Sequence, residues 1–225
     1  MSQNLVDSFM KFGAGGGTSQ LYGSHGYEFG NGSLDTAEIS VKELATTTTG
    51  TILGDLAQER TRSGNAQTET IIYTLGGALT TTLYTNIEEF EVGVDTDASA
   101  IADLNTAVQT NGNKGFSETH AFVLGGGTGG WGYTSEIQSY EFGSGTTATA
   151  IADLDTGVFG NAGGTNLVYS YSYVGFSGSR QTWIQEYENG TGTDATTVAD
   201  SVTARYGMNA SSQDSTHIIG FGGDA

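Results

Sequence analysis

HAFVLGGGTGGWGYTSEIQSYEFGSGTTATAIADLDT, residues 120–156, contains the parts from which most of the chain is assembled. It reads as an apolar strand closed by glycines, a turn, a strand ending in an aromatic-Glu pair, a turn and a third strand. The aromatic-Glu-x-Gly marker occurs at Tyr27-Glu28-Phe29-Gly30, Phe90-Glu91-Val92-Gly93, Tyr140-Glu141-Phe142-Gly143 and Tyr187-Glu188-Asn189-Gly190, spaced by 63, 50 and 47 residues. Eleven residues after the aromatic come IADLNT (101–106), IADLDT (151–156) and VADSVT (198–203). In the first copy VKELAT (41–46) follows at 14 residues, so that unit is expected to carry an insertion between residues 30 and 49. Glycine-closed apolar runs end at Gly17, Gly77, Gly127 and Gly223, and YSYSYVGF stands in the fourth copy without its glycine pair.

A strand-rich period near 50 residues points to propeller blades, small sheets that cannot bury their faces alone. The expected fold is all-β, a small propeller of about four units plus an extra C-terminal strand. The units cover about 9–60, 61–111, 112–161 and 162–212, with the terminal strand at 213–225, all in one domain. Helical repeats fit poorly, because apolar residues alternate over short runs in a Thr- and Gly-rich chain. Residues 54–69, GDLAQERTRSGNAQTE, read as a long surface connection. Alternation in LVYSYSYVGF (167–176) sets Tyr169, Tyr171 and Tyr173 on the face opposite Val168, Ser170, Ser172 and Val174, an inter-blade contact. The glycine strand at 215–223 repeats one near the start, which leaves two readings. Either the ends pair to close a ring, or the spare strand pairs with another protomer.

Composition narrows the chemistry. The 225 residues hold 25 Asp and Glu against 7 Lys and Arg, a formal charge of −18, and no cysteine or proline. Disulfides are therefore excluded, polyanions are repelled, and nucleic acid is not an expected partner. No basic-then-apolar leader opens the sequence, and no apolar run approaches the roughly 20 residues that span a bilayer.

No residue cluster demands catalysis. His120 and His217 share a repeat position, which explains them without a metal. Glu89, Glu91, Asp95 and Asp97 are the one oxygen-rich calcium candidate, but the D-x-D-x-D-G loop is missing. The alternative is a solvated acidic edge that resists sheet aggregation. The recurring Glu28, Glu91, Glu141 and Glu188 are read as structural acceptors for turn amides. GFSGS (175–179) fails the G-x-S-x-G pattern. The protein is accordingly read as a non-enzyme without cofactors. Aromatics between the glycine strand and the aromatic-Glu strand, Tyr22, Tyr84, Trp131, Tyr133 and Trp183, are the candidate binding residues for a sugar ring or a partner protein. Buried blade edges are the alternative for them.

The glycine pair after an apolar strand, followed by an aromatic-acid pair, resembles the Kelch repeat of β-propellers. More narrowly, Leu104-Asn105-Thr106-Ala107 and Thr203-Ala204-Arg205 resemble the L-N-T-A-R element of Kelch-like structural and tail-associated proteins of tailed phages, marine ones especially. The usual Trp after the aromatic-acid pair is missing, and four units are fewer than the usual six or seven. The resemblance implies a non-enzymatic virion protein, tail-, fibre- or adhesin-associated or capsid-decorating, assembled in the host cytoplasm. Its partners would be other virion proteins or a host-surface glycan, with a homo-oligomer expected and no membrane insertion. A soluble lectin-like module and a glycosidase-like propeller enzyme are the competing classes.

Overall fold

The computed structural model describes residues 18–22, 25–29, 37–43, 50–110, 115–213 and 218–224, with side chains at 37–41, 50–110, 115–207. Every regular element among them is a β-strand. The first sheet is β1 (Thr18–Tyr22), β2 (His25–Phe29), β3 (Glu38–Glu43) and β4 (Thr51–Asp55), paired in that order. The second is β5 (Gly64–Gln67), β6 (Ile71–Leu75), β9 (Asn86–Glu91) and β10 (Ser99–Asp103). A small hairpin, β7 (Ala78–Leu79) and β8 (Thr82–Leu83), tips its centre. The third is β11 (Gly115–Phe116), β12 (His120–Gly129), β13 (Gly132–Glu141) and β14 (Thr149–Val158). The fourth is β15 (Ala162–Thr165), β16 (Tyr169–Phe176), β17 (Arg180–Glu188) and β18 (Thr196–Gln213), extended by β19 (Ile218–Asp224). All the strand pairs are antiparallel and join sequence neighbours, except that β6 pairs with β9 across the β7–β8 hairpin.

The third and fourth strands keep one register throughout. Glu38 faces Asp55 and Ile39 faces Gly54; the corresponding pairs are Asn86–Asp103 with Ile87–Ala102, Glu136–Asp153 with Ile137–Ala152, and Trp183–Asp200 with Ile184–Ala199. The register slips at the same place beside each of these pairs, a bulge repeated four times.

This register corrects the reading of the first unit. Tyr27, Glu28 and Phe29 lie in the second strand, β2, and Phe29 pairs with Ile39 of the third strand. The third strand therefore ends at Lys42-Glu43, and its fourth-strand segment is TILGDL (51–56) rather than VKELAT. Glu43, Glu91, Glu141 and Glu188 are then spaced by 48, 50 and 47 residues, and the expected insertion between the third and fourth strands disappears. The third strand of this unit lacks the aromatic and the closing glycine of its counterparts, while the second strand happens to carry both, so a four-residue motif points to the wrong strand. The glycine run at 12–17, and the polar lead before it, lie outside the described residues.

Within the chain the spare strand has a partner of its own. β18 pairs with β17 through its first half and with β19 through its second, from Tyr206–Asp224 to Gln213–Ile218. The extra strand thus extends the last sheet, while β1 pairs with β2.

Three apolar cores join the sheets face to face. Ile39 and Leu56 of the first sheet meet Ile72, Phe90 and Ala98 of the second. Tyr73, Leu75, Ile87, Leu104 and Val108 of the second meet Phe116, Ala121, Val123, Tyr140 and Ala148 of the third. Phe122, Leu124, Ile137, Leu154 and Val158 of the third meet Tyr187 and Ala195 of the fourth. Strand β12 is buried on both faces, since Ala121 and Val123 turn to one neighbour while Phe122 and Leu124 turn to the other. In β16 the serines are the buried face and the three tyrosines are half-buried. The small side chains allow close approach there, because a Cβ on Gly115 would stand 2.7 Å from Ser170 Oγ.

Polar contacts repeat between the sheets as regularly as the apolar ones. Ala98 N–H donates to Asp55 O, Ala148 to Asp103 O and Ala195 to Asp153 O, each at 2.8 Å. Buried Gln138 clamps the Thr106 backbone, accepting its N–H at 2.9 Å and donating to its carbonyl at 3.0 Å. Gln185 does the same to Thr156, at 2.9 Å in both directions. At the matching position of the second sheet stands Glu88, whose Oε2 accepts from Ala57 N–H at 2.8 Å.

Its other oxygen pairs with Arg60, and both side chains are fully buried. Arg60 also donates to the Gly76, Asn86 and Gln58 carbonyls at 2.9, 3.1 and 3.2 Å. Burial lowers the guanidinium pKa to about 10, which still leaves it charged at neutral pH. Residues 54–69 are therefore not a surface connection: Arg60, Thr61 and Ser63 are buried because the chain passes between two sheets. Glu88 is likewise part of this contact.

The buried phenols predict the alkaline limit of the fold. Burial, with Glu89 and Tyr140 nearby, pushes Tyr73 up to about 12, and burial also raises Tyr140 and Tyr187. A phenol raised in the native state releases its proton first in the unfolded chain, near pH 10. Its stabilisation is complete below that value and is lost as pH rises from about 10 to 12. Thermal melts should show Tm falling across this window, with these tyrosines ionising in step with unfolding by ultraviolet absorbance. A Tm that stays flat to pH 12 would contradict the burial of these rings.

Candidate binding rim

The connections between sheets and the hairpins at β7–β8, β12–β13 and β16–β17 share one rim. Isolated bridges tie them together: Thr61 to Ala78, Gln109 to Gly127 and Phe159 to Phe176. Thr110 N–H donates to Arg62 O at 2.8 Å and Gly207 N–H to Gly160 O at 2.7 Å, so successive connections lie side by side.

At the third and fourth sheets this rim becomes aromatic. Phe159 and Phe176 exchange both backbone hydrogen bonds, at 3.1 and 2.9 Å, with ring centroids 5.2 Å apart. This approach needs the glycine that follows Val174. A Cβ on Gly175, at φ +133°, would stand 3.1 Å from Phe159 O. Val174, at φ 49°, takes the left-handed position that Gly76 and Gly125 hold in the two preceding sheets, so the backbone bend persists where the glycine pair is lost. Tyr206 packs on Phe159 and Phe176 at 6.4 and 5.9 Å, and the Arg180 guanidinium lies over Tyr206 at 5.4 Å. Trp131 completes the group, 5.9 Å from Phe159 and 6.3 Å from Phe176.

Trp131 sits in a two-residue hairpin turn closed by the Gly129–Gly132 pair. Gly130 and Trp131 have φ values of 56° and 69°, the two positive angles of a type I′ turn. Glycine or asparagine is the ordinary residue at such positions. A bulky side chain there costs about 1–3 kcal/mol. Trp131 recovers little of that cost by burial, since it is 74 % exposed. Tyr133, 41 % exposed, reaches toward Gly178 in the next hairpin, where a Cβ would lie 4.0 Å from its hydroxyl.

Two of the five aromatics singled out in the sequence, Trp131 and Tyr133, thus belong to this rim. Tyr84 does not join them: it is half-buried, accepts from Gln58 Nε2 at 3.2 Å and has Arg60 5.8 Å from its ring centre. Trp183 lies within β17, not in a turn, at the position held by Glu136 and Asn86 in the preceding sheets. The side chain of Tyr22, and His217, lie outside the described residues. Phe159, Phe176 and Tyr206 lie outside the segments between the glycine strand and the aromatic-Glu strand, to which the sequence pattern assigns the rim aromatics. Aligning the connections on Leu104 and Leu154 would have flagged Phe159, which takes the place of Gln109.

The acids have structural partners. Asp103, Asp153 and Asp200 accept from Thr85, Ser135 and Thr182 hydroxyls at 2.6, 2.7 and 2.7 Å. Asp97 accepts from the Asp55 amide and Asp194 from the Asp153 amide. Glu91, Glu141 and Glu188 are exposed, and the turn amides of Val94, Ser144 and Thr191 bond to their backbone carbonyls instead of their carboxylates. Glu89, Glu91, Asp95 and Asp97 do not converge, and among the described residues no three His, Asp or Glu side chains form a metal-holding group. His120 bonds to the Thr119 hydroxyl at 2.8 Å and stacks beside Phe122. In the GFSGS segment, Gln181 Nε2 donates to Ser179 O and Oγ at 2.8 and 3.0 Å, which pins the loop.

No protein-family profile matches the chain, and no curated protein matches it. Among solved structures it is similar in fold to that described as "Structure of YjhT", with a TM-score of 0.70 at 10% identity. The similarity covers 90% of this chain and 68% of that one.

Proposed function

We propose that the chain is a non-enzymatic scaffold whose four sheets are blades of a small, Kelch-like propeller, and that it serves as a virion component of a tailed phage. Its role is rigid presentation of the hairpin rim to a neighbouring virion protein or a host-surface glycan, in the tail, fibre or adhesin apparatus or on the capsid. The observation that carries the scaffold reading is the repeated docking of sheet on sheet through like contacts. Ala98, Ala148 and Ala195 each bond back to the preceding sheet, and Gln138 and Gln185 clamp it. The side chains of Glu91, Glu141 and Glu188 are exposed, and Asp103, Asp153 and Asp200 bond to hydroxyls of their own sheets. The phage context rests on the resemblance of residues 104–107 and 203–205 to Kelch-like phage proteins.

Light scattering after size exclusion tests this reading. A part built into a symmetric particle is expected to run as a defined multiple of 23.3 kDa or to assemble with other virion chains. A monomer that stays single at high concentration and joins no other virion chain would overturn it in favour of a free-standing module. Glycosidase turnover abolished by a Glu→Gln change at position 91, 141 or 188 would instead restore the enzyme reading.

A further inference from the structure

We infer that Trp131, on the rim whose hairpins also carry Tyr133 and Arg180, forms a saccharide-binding platform that takes the face of a pyranose ring. The inference deepens the proposed rim-presenting function and rests on it. Trp131 occupies a strained left-handed turn position with most of its surface exposed, so neither backbone preference nor core packing accounts for a tryptophan there. Its base is built, because Phe159 and Phe176, from two separate segments, pack against the indole and Tyr206, from a third, packs behind them. A propped, exposed indole on a rim that also carries a phenol and a guanidinium matches a sugar. The ring's C–H face stacks on the aromatic, and the hydroxyls at its edge take hydrogen bonds from Arg180 and the Tyr133 hydroxyl.

Size and charge argue for this occupant over others. Trp131 and Tyr133 are the only large apolar side chains of the group that are exposed. That area suits one ring and falls far below the roughly 800 Å² per partner of a stable protein interface. The chain's −18 charge opposes nucleic acid, whose bases would otherwise stack as well on an indole.

The test uses the full chain on an array of immobilised neutral and acidic pyranose oligosaccharides, followed by fluorescence titration of W183F with the soluble hits. Because the chain has two tryptophans, W183F leaves Trp131 as the sole reporter. At least one glycan should bind with a Kd on the order of 1 mM and shift the emission. Trp131→Gly suits the turn better than tryptophan, so it should melt at the same or a higher temperature while losing binding at least tenfold. W131F should retain part of it. An array with no binder, or binding that survives W131G, would overturn the inference. The outcomes separate from those of the scaffold reading. A chain that assembles with virion proteins yet binds no glycan removes only the sugar. One that binds glycan through Trp131 but hydrolyses it removes only the non-enzymatic role.

Discussion

Glu88→Gln should lower the free energy of unfolding by about 3–5 kcal/mol in urea denaturation, although glutamine is the residue the next two sheets use at that position. The reason is Arg60. In the third and fourth sheets Gln138 and Gln185 reach back past Val108 and Val158, whereas Glu88 reaches back to a fully buried guanidinium. Removing the carboxylate charge leaves that cation uncompensated in a place water does not reach. The same logic gives the rescue. Arg60→Val combined with Glu88→Gln recreates the valine–glutamine pair of the later sheets. The double variant should return to within about 2 kcal/mol of the parent, because a buried ion pair and a well-packed apolar substitute are often close in stability. The cycle of single and double variants would then show strong coupling. If E88Q costs less than about 1 kcal/mol, the two side chains are not the sealed pair described.

Tyr187→Ala should be of similar size, about 3–5 kcal/mol, for a different reason. The ring is fully buried between the third and fourth sheets, edge-on to Phe122 at 5.4 Å, and shares a core with Leu124, Leu154 and Val158. Among the described side chains, no other large buried apolar group of the fourth sheet enters that core, where Ala195 is its companion. Truncation therefore leaves a cavity that serines on β16 cannot fill. In a stack of sheets each bound mainly to its neighbours, the loss should fall on the fourth sheet first. Hydrogen exchange of residues 162–205 should accelerate before that of 64–103. Uniform acceleration would show that the sheets unfold as one unit.

The strand order and the repeat were legible because they are local. Period-two alternation marks β16, the aromatic-Glu pair marks the ends of β9, β13 and β17, and the IADL segments mark β10 and β14 by their sequence. The acids at Asp103 and Asp153 recur because each closes a hydroxyl contact within its own sheet. Phase was the weak point. Tyr27-Glu28-Phe29-Gly30 has the marker's composition but lies one strand earlier, and only the pairing of Phe29 with Ile39 distinguishes the two. The slip is possible because β3 ends at Lys42-Glu43, followed by Leu44-Ala45, without the aromatic and the glycine that mark the third strand in the other sheets.

What the sequence by itself determined was an all-β chain of repeated small sheets, the lack of disulfides, and the acidity that turns polyanions away. These follow from residue type and short spacing, which the pleat and the turn read directly. The tertiary structure alone decided that Arg60 is interior, that β19 extends the last sheet, and that Trp131 joins Phe159, Phe176 and Tyr206 while Tyr84 and Trp183 stand elsewhere. Each of these depends on which sheet faces lie against one another. Such contacts join residues tens of positions apart, and no local periodicity encodes them.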